Sequence, residues 1–247
     1  MAISYRHTLL IDSRDVDGRG HCKASALMGH LQEAATQAAE VGGFTRNVLL
    51  DRYNGFWMLT RIRYQLTRPL KWEEELTIHT WHRGGKSAVL YRDFDLYVGE
   101  EKVGEAVSAW VLADLETRKL LRLSGIEELE GTDGGDLCKD VILRKLHCPK
   151  ELTPVEKRPM RYSDTDINGH VNNTRYADFA CDAVELDKLP EDEFLSGLQI
   201  GYMAECRPGE TITMETGSLE NGRFVFGLDE TGKARFESAL FFGKLVP

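Results

Sequence analysis

A short polar segment occurs twice in this chain of 247 residues, and the repetition constrains the fold more than any other feature. Asp15-Val16-Asp17-Gly18-Arg19-Gly20-His21 matches Asp164-Thr165-Asp166-Ile167-Asn168-Gly169-His170 at both aspartates, the second glycine and the histidine. A helical stretch follows each copy. From about Ser25 to Val41, Leu27, Leu31, Ala34, Ala35 and Ala38 fall on one side, and Gly42-Gly43 ends the run. From Asn173 to Leu186, Tyr176, Phe179, Ala180, Ala183 and Val184 keep the spacing of one helix face. Strand-like runs come next in both halves: Phe56–Leu66, Glu75–Arg83, Ala88–Val98 and Lys102–Leu115, then Gly197–Cys206, Thr211–Leu219, Arg223–Leu228 and Ala234–Leu245. Strands are also expected over Tyr5–Ser13 and about Pro159–Ser163. A helix followed by a strand meander, twice over, defines two α+β units. The glycine- and acid-rich stretch with Pro149 and Pro154 between them reads as a linker. This divides the chain into residues 1–124, a linker over 125–157, and residues 158–247.

The second polar segment carries chemistry that a turn does not need. Asp and Asn are ordinary turn residues, but His170 is not. Asp166, Asn168 and His170 occupy alternate positions, which in an extended segment would face one way. Asn172 or Asn173 can cap the following helix, whose free amides and positive dipole end favour developing negative charge. Carboxylate, amide and imidazole on such a turn can activate water and hold an oxyanion.

Asp-Thr-Asp-Ile-Asn-Gly-His-Val-Asn-Asn at 164–173, with Tyr202-Met203-Ala204-Glu205-Cys206 downstream, resembles the active-site sequence of the acyl-acyl-carrier-protein thioesterases. The resemblance covers nearly the whole chain. It implies a tandem double hotdog, in which each repeat is a curved antiparallel sheet wrapped around a long helix. It further implies hydrolysis of acyl-acyl-carrier protein to free fatty acid, with phosphopantetheine-linked acyl carrier protein as the partner. The catalytic set carried over is Asp166, Asn168, His170 and Glu205, all in the second repeat, with the acyl chain directed to the first. The first repeat has Arg19 in place of Asn168, and offers Thr67 or Arg68 near the position of Glu205. Asn172 and Asn173 are candidates for binding substrate. So are Trp57 and Met28 among the possible pocket residues Met28, Leu31, Trp57, Met58 and Trp110.

Histidine is the natural general base, because its ordinary pKa of about 6.5 lies near working pH. Cys206 is a rival nucleophile through a Cys–His–Asn arrangement. Against it, the adjacent Glu205 disfavours a thiolate, and neighbouring strand residues face opposite ways. Two other functions stay open: an acyl-coenzyme A thioesterase of the same fold, and a non-catalytic acyl-binding or acyl-sensing protein. Coenzyme A and carrier protein present the same phosphopantetheine arm, so the motif does not separate them. Arg61, Arg63, Arg68, Lys71, Arg158 and Arg161 are candidates for a basic docking patch.

Composition excludes several classes. A net charge of −9 disfavours a nucleic-acid ligand. No apolar run approaches the roughly 18 residues of a membrane span, so no membrane insertion is expected. The five cysteines are scattered without Cys-x-x-Cys spacing, which argues against a zinc site or a disulfide framework. No metal or cofactor is expected. The start lacks a secretory or plastid-type leader, so a cytoplasmic bacterial protein is expected. A tandem repeat satisfies hotdog pairing within one chain, leaving monomer or homodimer open.

Overall fold

The structure, a computed structural model, describes residues 4–86, 88–123, 138 and 141–245. The first half contains β1 (Ser4–Leu10), α1 (Ala24–Val41), α2 (Arg46–Tyr53), β2 (Gly55–Leu66), β3 (Glu75–Lys86), β4 (Val89–Val98) and β5 (Glu101–Asp114). The second contains β6 (Thr153–Pro159), α3 (Arg175–Ala183), β7 (Glu193–Tyr202), β8 (Thr211–Leu219), β9 (Gly222–Leu228) and β10 (Ala234–Lys244). All ten strands form one antiparallel sheet in the order β1-β3-β4-β5-β2-β7-β10-β9-β8-β6. Read from its outer edge inward, each half has the same order, so the sheet is two hotdog repeats joined edge to edge.

The junction is the pairing of β2 with β7, where Ile62 lies opposite Ile200 and Gln65 opposite Gly197. A Cβ at Gly197 would meet Gln65 Oε1 at 2.6 Å and Tyr64 O at 3.0 Å, so glycine allows this close approach. Both long helices lie against one face of the sheet. Leu27, Met28, Leu31 and Ala34 of α1 share a continuous core with Ile62 and Tyr64 of β2, Phe179 and Ala180 of α3, and Leu198 and Ile200 of β7. Alanines at 34, 35 and 38 let strands approach α1 closely, as the sequence suggested.

Four elements differ from the sequence reading; one is β7, expected over Gly197–Cys206, which runs Glu193–Tyr202 and leaves Glu205 and Cys206 beyond its end. Helix α2 was not expected; Val48, Leu49 and Leu50 are adjacent and show no three-to-four spacing. Its N-cap Thr45 accepts from Val48 N, and Asn54 closes it in the left-handed conformation. The strand expected near 159–163 runs instead over Thr153–Pro159, inside the stretch read as linker, and Tyr162–Asp164 form a 3₁₀ turn. Pro149 and Pro154 suggested a linker, but β6 is a sheet edge, where Pro154 and Pro159 are tolerated. Helix α3 begins at Arg175 and ends at Ala183, shorter than the 173–186 expected.

Much of the expected linker, 124–137 with 139 and 140, lies outside the described residues. Cys138 and Val141 pack on Val107 of β5, away from the helices. Arg63 Nη1 donates to Ile142 O at 3.2 Å and Gln199 Nε2 to Arg144 O at 2.5 Å, so this part of the connection crosses β2 and β7. Among the described residues, no helix is long and apolar enough to cross a membrane.

Candidate active site

The two polar segments share the same backbone turn. Asp166 N–H donates to His170 O at 2.9 Å and Gly169 N–H to Asp166 O at 3.0 Å; Asp17, His21 and Gly20 repeat both bonds at the same lengths. Gly169 and Gly20 both have φ of +73°, a conformation that costs glycine little. The segment is therefore a closed turn and not extended, and alternation does not align Asp166, Asn168 and His170. Asp166 Oδ1 accepts from Asn168 N at 2.8 Å, which makes this carboxylate a brace of its own turn.

The turn is tied to the strand-end segment that carries Glu205. Val171 N–H donates to Cys206 O at 2.9 Å, and Cys22 N–H to Leu70 O at 2.8 Å in the first repeat. That equivalence makes Pro69 the counterpart of Glu205, in place of Thr67 or Arg68. In the second repeat the tie brings His170 Nε2 to 3.3 Å from Glu205 Oε2, with side chains 16% and 40% exposed. Cys206 is fully buried beside Tyr176, and burial pushes its thiol pKa up. It faces the core while Glu205 faces His170.

Arg118, which the sequence reading missed, comes from the first repeat. Its Nη1 lies 3.8 Å from Glu205 Oε1, and its guanidinium stacks over Phe56 at 5.0 Å. The turn that delivers it is closed by Asp114, whose Oδ1 accepts from Glu116 N and Thr117 N, and whose carbonyl accepts from Arg118 N. Arg118 holds φ of +58°, unusual for a residue with a side chain. The Asp-Leu-Glu-Thr-Arg turn was legible; its reach across the repeats was not.

Asn168 and Ile167 stand on the rim of a cavity of about 450 Å³ that lies in the first repeat. Its wall is largely apolar: Ala35, Ala38, Phe44, Leu49, Phe56, Trp57, Leu90 and Trp110. Trp57 and Trp110 thus line the cavity. Met28 does not; it is 1% exposed, in the main core. Asn172 and Asn173 are engaged structurally. Asn172 Oδ1 accepts from Thr174 N and Thr174 Oγ1 at 2.9 Å, and its carbonyl accepts from Arg175 N. Asn173 Nδ2 donates to Gln32 Oε1 of α1 at 3.3 Å, and its carbonyl accepts from the Tyr202 hydroxyl. The amides of Thr174 and Arg175 at the start of α3 are accordingly occupied, unlike the open helix end expected.

The equivalent space beside the first repeat's turn is about 320 Å³, lined by Asp17, Arg19 and His21 and, from the second repeat, by Cys181, Leu186 and Phe194. Arg19, the counterpart of Asn168, donates there to the carbonyls of Leu189 and Pro190. Burial and the nearby Lys71 hold the His21 pKa down, against the pull of Asp17. The expected basic patch is dispersed: Arg68 pairs with Glu74 and Glu101, Arg158 with Glu156 and Asp182. Among the described residues, one cluster has the spacing of metal ligands, Asp95, Glu105 and Cys138. The Lys102 ammonium already bridges its two carboxylates. No two described cysteines are joined.

Residues 2–127 match the acyl-ACP thioesterase N-terminal domain and residues 149–237 the C-terminal domain of the same family. The chain belongs to the acyl-ACP thioesterase family. It is 28% identical over 239 residues to a chloroplastic dodecanoyl-[acyl-carrier-protein] hydrolase of Cinnamomum camphora, covering 88% of this chain and 61% of that one. The chain thus spans about three-fifths of that relative's length. The fold superposes on an acyl-ACP thioesterase from Bacteroides thetaiotaomicron with a TM-score of 0.84 at 24% identity, covering 97% of this chain and 98% of the other. It matches the 12:0-ACP thioesterase from Umbellularia californica with a TM-score of 0.82 at 21% identity and 99% coverage of both.

Proposed function

We propose that this protein hydrolyses acyl-acyl-carrier protein to free fatty acid and holo-carrier protein in fatty acid synthesis. The observation that carries the reading is the His170–Glu205 pair, 3.3 Å apart, with Asn168 on the rim of an apolar cavity. The cavity takes the acyl chain, and the phosphopantetheine arm extends outward past the pair. Water attacks the thioester carbonyl carbon. His170 and Glu205 act as one unit that accepts the water proton, the carboxylate stabilising the imidazolium. The Asn168 carboxamide donates to the carbonyl oxygen as charge develops there; such a donor contributes about 3–4 kcal/mol in comparable sites. The C–S bond then breaks, and the leaving sulfur takes back the proton as a thiol. Asp166 acts through its turn, and Arg118 holds the Glu205 carboxylate toward His170.

Residues 1–124 hold the chain and residues 158–247 perform the chemistry in this account. The unjoined cysteines fit a reducing cytoplasm. The paired β2 and β7 edges leave a monomer self-sufficient. The test is hydrolysis of acyl-carrier-protein and acyl-coenzyme A thioesters of graded chain length. Release of free fatty acid with higher kcat/KM on the carrier-protein series is expected. Faster turnover of the coenzyme A series would reassign the substrate, and binding without turnover would make the protein an acyl sensor.

A further inference from the structure

One wall of the cavity is not apolar. Arg92 of β4 lines it and is only 7% exposed. In register, Arg92 lies between His82 of β3 and Ser108 of β5. His82 also lines the cavity, and Ser108 Oγ accepts from Trp110 Nε1 at 2.7 Å. Two polar side chains, Arg92 and His82, thus stand in a wall with Leu90, Trp57 and Trp110, and Ser108 is next in register. The Arg92 guanidinium has five N–H donors. Among the described residues its hydrogen bond is the one from Nη1 to Thr80 Oγ1 at 3.3 Å. No carboxylate pairs with it there. The neighbouring Asp93, whose side chain leaves the other face of the strand, is taken by Arg83. Burial lowers the Arg92 pKa to about 10, which still leaves a cation at neutral pH.

A buried cation with donors facing an apolar space is costly unless something in that space accepts hydrogen bonds. A plain alkyl chain cannot. A polar group in an acyl pocket also discriminates strongly, because an occupant lacking the matching group leaves it unsatisfied. We propose that the acyl chain selected by this cavity carries an oxygen function, a hydroxyl, keto or carboxylate group, that accepts from Arg92. The proposal rests on the reading of this cavity as the acyl site.

The experiment compares wild type, Arg92→Met and Arg92→Lys on carrier-protein thioesters of a saturated chain and its β-hydroxy, β-keto, ω-hydroxy and ω-carboxy derivatives. In wild type, kcat/KM for at least one oxygenated thioester should exceed that for the plain chain tenfold or more. Arg92→Met, close in length to Arg but without donors, should erase that advantage and raise turnover of the plain chain. Arg92→Lys keeps a donor and should retain part of the preference. A wild-type enzyme that favours the plain chain over every derivative would overturn the proposal, as would an unchanged ratio in Arg92→Met. Non-hydrolysable amide analogues, measured by calorimetry on wild type, separate the two readings and need no variant to fold. If no thioester is hydrolysed but an oxygenated amide binds at least tenfold tighter than the plain one, the catalytic reading fails and this one stands.

Discussion

His170 and Glu205 meet because a single backbone bond, Val171 N–H to Cys206 O, pulls their segments together. The same bond turns Cys206 inward, where it is fully buried beside Tyr176. Glu205→Gln should therefore lower kcat by about 10²–10⁴-fold, the range for removing a general acid–base group. Cys206→Ser should keep most of the activity, and rapid-quench mass spectrometry should find no acyl group on Cys206. Acylated Cys206 would replace water attack with nucleophilic catalysis. Arg118→Ala should cut kcat roughly tenfold, the scale of a lost charge-assisted contact, with KM little changed and partial rescue by Lys. On a Glu205→Gln background it should do nothing further; an equal loss there would detach Arg118 from Glu205. His170, Asn168 and Glu205 were legible in the sequence because a dense polar motif marks them. Trp57 and Trp110 of the cavity wall were named as well, but Arg118 was not, since a guanidinium reaching across 87 positions to Glu205 leaves no local pattern.

The two polar turns are one element used for two purposes. Asp17 Oδ1 accepts from Arg19 N at 2.8 Å and His21 N at 3.0 Å; Asp166 Oδ1 accepts from Asn168 N at 2.8 Å. Removing either carboxylate leaves turn amides unsatisfied, a loss of about 1 kcal/mol. Asp17→Ala should thus lower the unfolding free energy by about 1 kcal/mol and leave kcat within about twofold, since its turn carries no proposed chemistry. Asp166→Ala should lose similar stability and far more activity, because its turn holds Asn168 and His170; denaturant titration beside steady-state kinetics checks both. Equal activities would remove Asp166 from the account. The order helix then meander was readable in each half from spacing and turn residues. Helix α2 was hidden because Val48, Leu49 and Leu50 run together, although Thr45 and Asn54 were cap signals. Strand β6 was misplaced because Pro154 reads as a breaker until its edge position is known.

Over the whole molecule, the His170–Glu205 pair belongs to the second repeat and the larger cavity is walled mostly by the first. Neither half has both. The first repeat keeps the turn, the histidine and the tie to the following strand, but Pro69 stands where Glu205 would, and Arg19 is anchored on backbone carbonyls. The second keeps Asn168 and Glu205, and the β2–β7 junction joins it to the first in one continuous sheet. The proposed division of labour rests on the repeat itself, where Arg19 replaces Asn168. Beyond Trp57 and Trp110, the cavity wall was not legible, because α1, α2, β2, β3, β4 and β5 each contribute to it. Two histidines in turns of the same backbone form should be unequal in function. Steady-state hydrolysis of one acyl-carrier-protein substrate should be measured for His170→Ala and His21→Ala, with thermal unfolding confirming that both fold. His170→Ala should lose about 10²–10⁴-fold in kcat, while His21→Ala stays within about threefold of wild type. Near-full activity in His170→Ala, or an equal loss in folded His21→Ala, would contradict the account.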